Sequence, residues 1–106
     1  MTVLVETRIF TNRIRAAISD EDYRLLQLAL VARPDAGAVI SGTGGLRKLR
    51  WTLPGRGKRG GIRLIYFWRP TTEHILLLFV YRKNERADLT PDQKKRLRDI
   101  ALSEYR

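Results

Sequence analysis

Cysteine is absent from this chain, and His74 is the sole histidine. Disulfides and thiolate chemistry are therefore excluded, as are a multi-histidine metal site and a two-histidine acid–base pair. That composition permits a reducing cytoplasm, which is the expected location, and it leads us to expect neither a cofactor nor a metal. Long apolar runs are missing as well. The longest, Ile75 to Tyr81, is about a third of a membrane span. The opening residues, Met1 to Glu6, lack the charged start and extended apolar region of a secretory signal. A soluble protein is expected.

The most informative scarcity is of negative charge. Between Asp35 and Glu73 no acid occurs, yet the stretch carries Arg47, Lys48, Arg50, Arg56, Lys58, Arg59, Arg63 and Arg69. Solubility alone is better served by mixed signs. The net charge is +10, and most of the bases are arginines, whose planar fork suits phosphate and stacks on nucleobases. A field of that sign attracts phosphate backbones by counterion release. The expected partner is RNA.

What is present is a single globular domain of 106 residues, 43% hydrophobic and 30% charged. Thr2 to about Arg8 is β-rich and reads as a strand. A short helical piece through Ile14 to Ile18 precedes a longer helix, capped by Ser19 and opened by Asp20, Glu21 and Asp22, where the helix dipole favours anions. That helix should run to about Ala32, stopped by Pro34, with Tyr23, Leu26 and Leu30 inward and Leu25 and Leu28 widening the stripe. Ile40 to Gly45 is a glycine-rich turn. It lacks the Lys-Ser/Thr ending of a phosphate loop and leads into a strand.

Strands follow at Leu46–Thr52, Ile62–Trp68 and His74–Tyr81, the last two apolar enough to be central in a sheet. Residues 54–61 form a glycine-rich basic hairpin loop, and residues 69–72 turn the chain. Thr90, Pro91 and Gln93 spell a helix start with a capping box. Leu97, Ile100 and Ala101 make its inner stripe, with Lys94, Lys95, Arg96 and Arg98 solvated. This order indicates an α+β fold with the helices on one sheet face and the basic residues on the other.

Alternation puts Leu49 and Trp51 on one face of their strand and Lys48 and Arg50 on the other. Arg63 breaks the apolar run of its strand, and a charge there is costly unless it reaches water or an anion. The structural alternative is a salt bridge to an acid such as Glu85. If the strands pair as neighbours, Lys48, Arg50, Arg63 and Lys83 form one cluster. Like charges depress one another's proton affinity, so a lysine within it could serve as acid or base. The arginines could hold the charge of a pentacoordinate phosphate while a 2′-hydroxyl attacks it. These four are the candidate catalytic residues. Arg47, Arg56, Lys58, Arg59, Tyr66, Tyr81 and Arg82 are candidates for substrate binding. His74, at a strand start, reads as structural, and Trp51 and Trp68 as core.

The run Gly42-Thr43-Gly44-Gly45-Leu46-Arg47-Lys48-Leu49-Arg50-Trp51, then Gly57-Lys58-Arg59-Gly60-Gly61-Ile62-Arg63, then Tyr81-Arg82-Lys83-Asn84-Glu85 and Asp88-Leu89-Thr90-Pro91-Asp92-Gln93, resembles the RelE/HigB toxin superfamily. The similarity is greatest to its HigB-like branch and covers nearly the whole chain. It implies a compact RelE-like single domain over residues 1–106, with a mainly antiparallel twisted sheet, N-terminal helices and a C-terminal helix. It also implies a ribosome-dependent, metal-independent endoribonuclease (an mRNA interferase) that cleaves mRNA in the A site and inhibits translation. The implied partners are the ribosome with its mRNA and rRNA, and a cognate antitoxin, often one with a helix-turn-helix domain. Basic residues matching Lys48, Arg50, Arg63 and Lys83 recur in that superfamily. Several members carry a catalytic tyrosine shortly after the last strand, where this chain reads Arg86-Ala87-Asp88-Leu89-Thr90. ParE-like gyrase inhibitors share the fold, so the alternatives are a gyrase poison and a non-catalytic RNA-binding module.

Overall fold

A computed structural model describes residues 1–53, 61–86 and 88–104. Strand β1 (Val3–Glu6) hands the chain to helix α1 (Arg8–Ala17) and then α2 (Asp20–Ala32). Strands β2 (Ala38–Val39), β3 (Leu46–Trp51), β4 (Ile62–Arg69) and β5 (His74–Arg82) follow, with a 3-10 turn at Pro70–Thr72, and α3 (Pro91–Glu104) ends the chain. The strands form one five-stranded sheet in the order β1-β5-β4-β3-β2. Only the β1–β5 edge is parallel; the other pairings are antiparallel. The α+β expectation holds.

Local chemistry sets the helix ends. The Thr7 hydroxyl accepts from the Phe10 amide and donates to the Leu78 carbonyl at 3.0 Å, so the residue that caps α1 also pins it to β5. Helix α1 therefore begins at Arg8, earlier than the periodicity around Ile14 suggests, and β1 is correspondingly shorter. Ser19 accepts from the Asp22 amide at 3.1 Å, as its position predicts. At α3 the capping box closes both ways: Thr90 N–H donates to Gln93 Oε1 at 2.8 Å, and Gln93 N–H to Thr90 Oγ1 at 3.2 Å.

The sheet is covered on both faces, which corrects the expectation that the helices share one. Phe10 and Ile14 of α1 with Leu26 and Leu30 of α2 pack on Ile62, Leu64, Tyr66, Ile75, Leu77 and Val80. On the opposite face Leu97 and Ala101 of α3, with Leu89, pack on Ile65, Leu76, Leu78, Phe79 and Tyr81. Double coverage explains why β5 is apolar almost throughout. Trp51 and Trp68 are half-buried against the first core, as expected. Leu25 and Leu28 are not part of either core, being 51% and 60% exposed, and Ile100 is 37% exposed.

One irregularity decides which side chains share a face. Ile65 pairs with Phe79 but Tyr66 with Leu77, so β5 holds an extra residue at Leu78. Counting by twos from Ile75 would send Tyr81 to the helix α1–α2 side. The bulge reverses the phase, and Val80 joins that core while Phe79 and Tyr81 face α3.

Candidate functional site

Three neighbouring strands present one polar row on the α3 side of the sheet. Arg50 of β3 lies opposite Arg63 of β4, which in turn lies opposite Tyr81 of β5. Directly opposed residues of an antiparallel pair have their Cβ atoms roughly 5 Å apart. The adjacent row holds Lys48, Ile65 and Phe79. Lys48, Arg50 and Arg63 are thus brought together as the alternation of β3 and the break in β4 predict.

The anticipated alternative for Arg63, an ion pair with Glu85, is not what the structure shows. Glu85 is taken by Arg13 and Arg86, and also accepts from the Arg82 amide at 3.3 Å. The first of these contacts chiefly holds the Glu85 carboxyl below the usual range. Among the described residues the Arg63 side chain donates only to the Ile62 carbonyl, at 3.3 Å, and neither it nor Arg50 pairs with a carboxylate. Two adjacent guanidinium groups without a counter-ion repel one another and lose that cost when an anion binds between them.

Tyr81 completes the row. It is 1% exposed, and its hydroxyl has no hydrogen-bond partner among the described residues. Burial is the main cause that pushes the phenol up, and Asp88 adds to it, while Arg63, Arg86 and Arg50 pull the other way. The hydroxyl therefore stays protonated and available as a donor. A buried unpartnered hydroxyl beside two unpaired arginines is an opening for an oxygen-rich ligand.

Lys83 is exposed in the turn after β5, its amide donating to the Gly61 carbonyl at 3.1 Å. Arg56, Lys58 and Arg59 fall outside the described residues. Arg47, Tyr66 and Arg82 belong to the opposite face of the sheet. Arg47 donates to the carbonyls of Gly37 at 2.7 Å and Asp35 at 3.2 Å and stands over the Trp68 ring. Tyr66 is fully buried, donating to the Pro34 carbonyl at 2.6 Å and accepting from the Gly37 amide at 2.9 Å. Position 37 must be glycine for that approach, since a Cβ there would stand 2.8 Å from the Tyr66 ring. Arg82 donates to the carbonyls of Ala16 and Ala17, at the end of α1. These side chains hold the fold together. His74 is at the far end of β5 from Tyr81, in keeping with a structural part.

Two residues near the cluster were not among the site candidates. Arg86 lies over both Phe79 and Tyr81, 5.5 Å and 5.8 Å from the ring centroids. Asp88 pairs with Lys48 at 3.5 Å and with Lys94 of α3 at 3.7 Å. The expectation that Lys94 is simply solvated is corrected by that pair. The only signal available was position: both lie where the chain leaves Tyr81 and leads to α3. Among the described residues no group of three or more His, Cys, Asp or Glu stands together, so none is assigned to a metal.

The arrangement is a cationic, hydrogen-bond-donating row on a rigid sheet, and a model of one protein family covers it completely. Residues 4–105 match the RelE toxin of the RelE/RelB toxin–antitoxin system. The chain belongs to the RelE toxin family. In backbone it is also similar to a free-state structure of the E. coli toxin RelE carrying two arginine-to-alanine replacements, with a TM-score of 0.58 at 13% identity over 99% of this chain and 98% of that one. Such a likeness shows the RelE fold. Among the described residues, no helix is long and apolar enough to cross a membrane.

Proposed function

We propose that this RelE-family toxin is a ribosome-dependent endoribonuclease of the HigB-like branch, cutting mRNA in the A site and so inhibiting translation. The observation that carries the reading is the Arg50–Arg63–Tyr81 row, with two guanidinium groups that meet no carboxylate among the described residues and a buried, unpartnered phenol on the same sheet face. In the proposed reaction the 2′-hydroxyl gives its proton to solvent, and its oxygen forms a bond to the adjacent phosphorus as the bond from phosphorus to the 5′-oxygen breaks. The products are a 2′,3′-cyclic phosphate and a 5′-hydroxyl. Arg50 and Arg63 take the negative charge that builds on the phosphoryl oxygens. Lys48 and Lys83 carry exchangeable protons, one of which can pass to the leaving 5′-oxygen. The ribosome holds the strand for in-line attack, which is where most of the rate enhancement arises. No step requires a metal.

Gyrase inhibition does not call for such a row, so the placement of Lys48, Arg50 and Arg63 on one face favours RNA cleavage over the ParE-like alternative. The deciding experiment adds purified protein to translating ribosomes and maps new mRNA 5′ ends. New ends at A-site codons are expected, with naked RNA cut poorly. Arrest without new ends, or loss of gyrase supercoiling in a parallel assay, would overturn the reading.

The proposed partner is an antitoxin encoded beside this chain, with acidic character to match the +10 charge and apolar anchors to hold the complex. Co-expression should give a complex of nanomolar affinity, about −12 kcal/mol or tighter.

A further inference from the structure

Lys48 is a flexible point charge on a four-carbon stem, set on the same face as Arg50 and one row from Arg63. Like charges at that spacing would drive its ammonium away from the sheet. Asp88 opposes them. Its Oδ1 accepts from the Leu89 amide at 2.7 Å and stands 3.5 Å from Lys48 Nζ, while Oδ2 stands 3.7 Å from Lys94 Nζ. Leu89 itself is 5% exposed, plugged into the core beneath α3, so the carboxylate is fixed to a buried anchor. That amide, together with Lys48 and Lys94, holds the Asp88 carboxyl below the usual range, and it stays ionised.

We propose that Asp88 is the positioning residue for Lys48, holding its ammonium at the edge of the Arg50–Arg63–Tyr81 row through a bridge that also ties in Lys94 of α3. The proposal rests on the endoribonuclease reading for its catalytic consequence, but not for the contact itself. Asp88 touches no reacting atom; it acts by fixing where Lys48 stands. Around Lys48 stand Asp88 from the loop, which also holds Lys94 of α3, and Arg50 from its own strand; Arg63 and Tyr81 of β4 and β5 lie in the next row of the same face.

The test compares wild type, Asp88→Asn and Asp88→Glu, the first also in a Lys48→Ala background. In cleavage on programmed ribosomes, Asp88→Asn should lower kcat by up to about 100-fold, the scale of a misplaced catalytic group. KM should stay level or fall, because the variant is more positive toward RNA. Asp88→Glu should recover much of the rate, and Asp88→Asn should cost nothing further once Lys48 is gone. An equal loss on the Lys48→Ala background would overturn the proposal. A second measurement is independent of cleavage: competitive acetylation by acetic anhydride, read by mass spectrometry. Labelling of Lys48 should rise in Asp88→Asn relative to exposed Lys83. If wild type cuts nothing, the nuclease reading fails, yet the acetylation result still decides whether Asp88 holds Lys48. Equal Lys48 labelling in both proteins overturns the proposal in either case.

Discussion

Arg63 and Arg82 lie near one another across the β4–β5 pair, yet they face opposite sides of the sheet and lead different lives. Arg82 spends its donors on the last carbonyls of α1, and on the same side Arg47 spends its own on the loop before β2. Arg63, with Arg50 beside it, has donors for which the described residues supply no partner. The two tyrosines repeat the contrast: the Tyr66 hydroxyl is doubly bonded to backbone, while that of Tyr81 has no partner among the described residues. A basic or phenolic side chain marks a site when its hydrogen-bonding capacity is left over.

The sharpest way to break that comparison is to remove one member from each face. Arg63→Ala should lower cleavage on ribosomes about 100-fold or more, as losing one oxyanion donor does, with folding retained. Loss of thermal stability with undiminished activity in the folded fraction would make Arg63 structural after all.

Tyr66→Phe should do the reverse. It strands the buried Gly37 amide and the Pro34 carbonyl, at about 1–3 kcal/mol of stability by denaturant titration, with little change in kcat. Arg82→Ala should cost less, about 0.5–1 kcal/mol, because the carbonyls it leaves at the end of α1 are exposed enough to take water.

The smallest effect concerns pH. The Glu85 carboxyl is held below its ordinary range, so its pairing contributes stability above the unfolded carboxyl's range and loses it as pH falls through the lower folded value. Glu85→Gln should therefore be less stable than wild type at neutral pH and converge with it in acid. Parallel thermal melts across that range would show a constant gap if the carboxyl were not the cause.

Much of this molecule was legible from residue order alone. Ser19, Thr90 and Gln93 fix helix starts through contacts within a few residues, and such local bonds need no fold to be foreseen. The alternation of β3 placed Lys48 and Arg50 together for the same reason, since side chains in a strand point alternately whatever surrounds them. The absence of acids between Asp35 and Glu73 meant that Arg50 and Arg63 have no counter-charge close by in the sequence. What the chain order could not decide was which distant groups meet. The extra residue at Leu78 turns Tyr81 toward Arg63, and it arises from the pairing of β5 with β4 rather than from any local pattern. Arg82, Arg47 and Tyr66 look like site residues in a one-dimensional list, but carbonyls many positions away bind them. Asp88 reaches Lys48 only because Leu89 is buried under α3. Local propensity and alternation act over a few residues and are written in the sequence; the disposal of each polar group depends on partners that only the folded chain brings near.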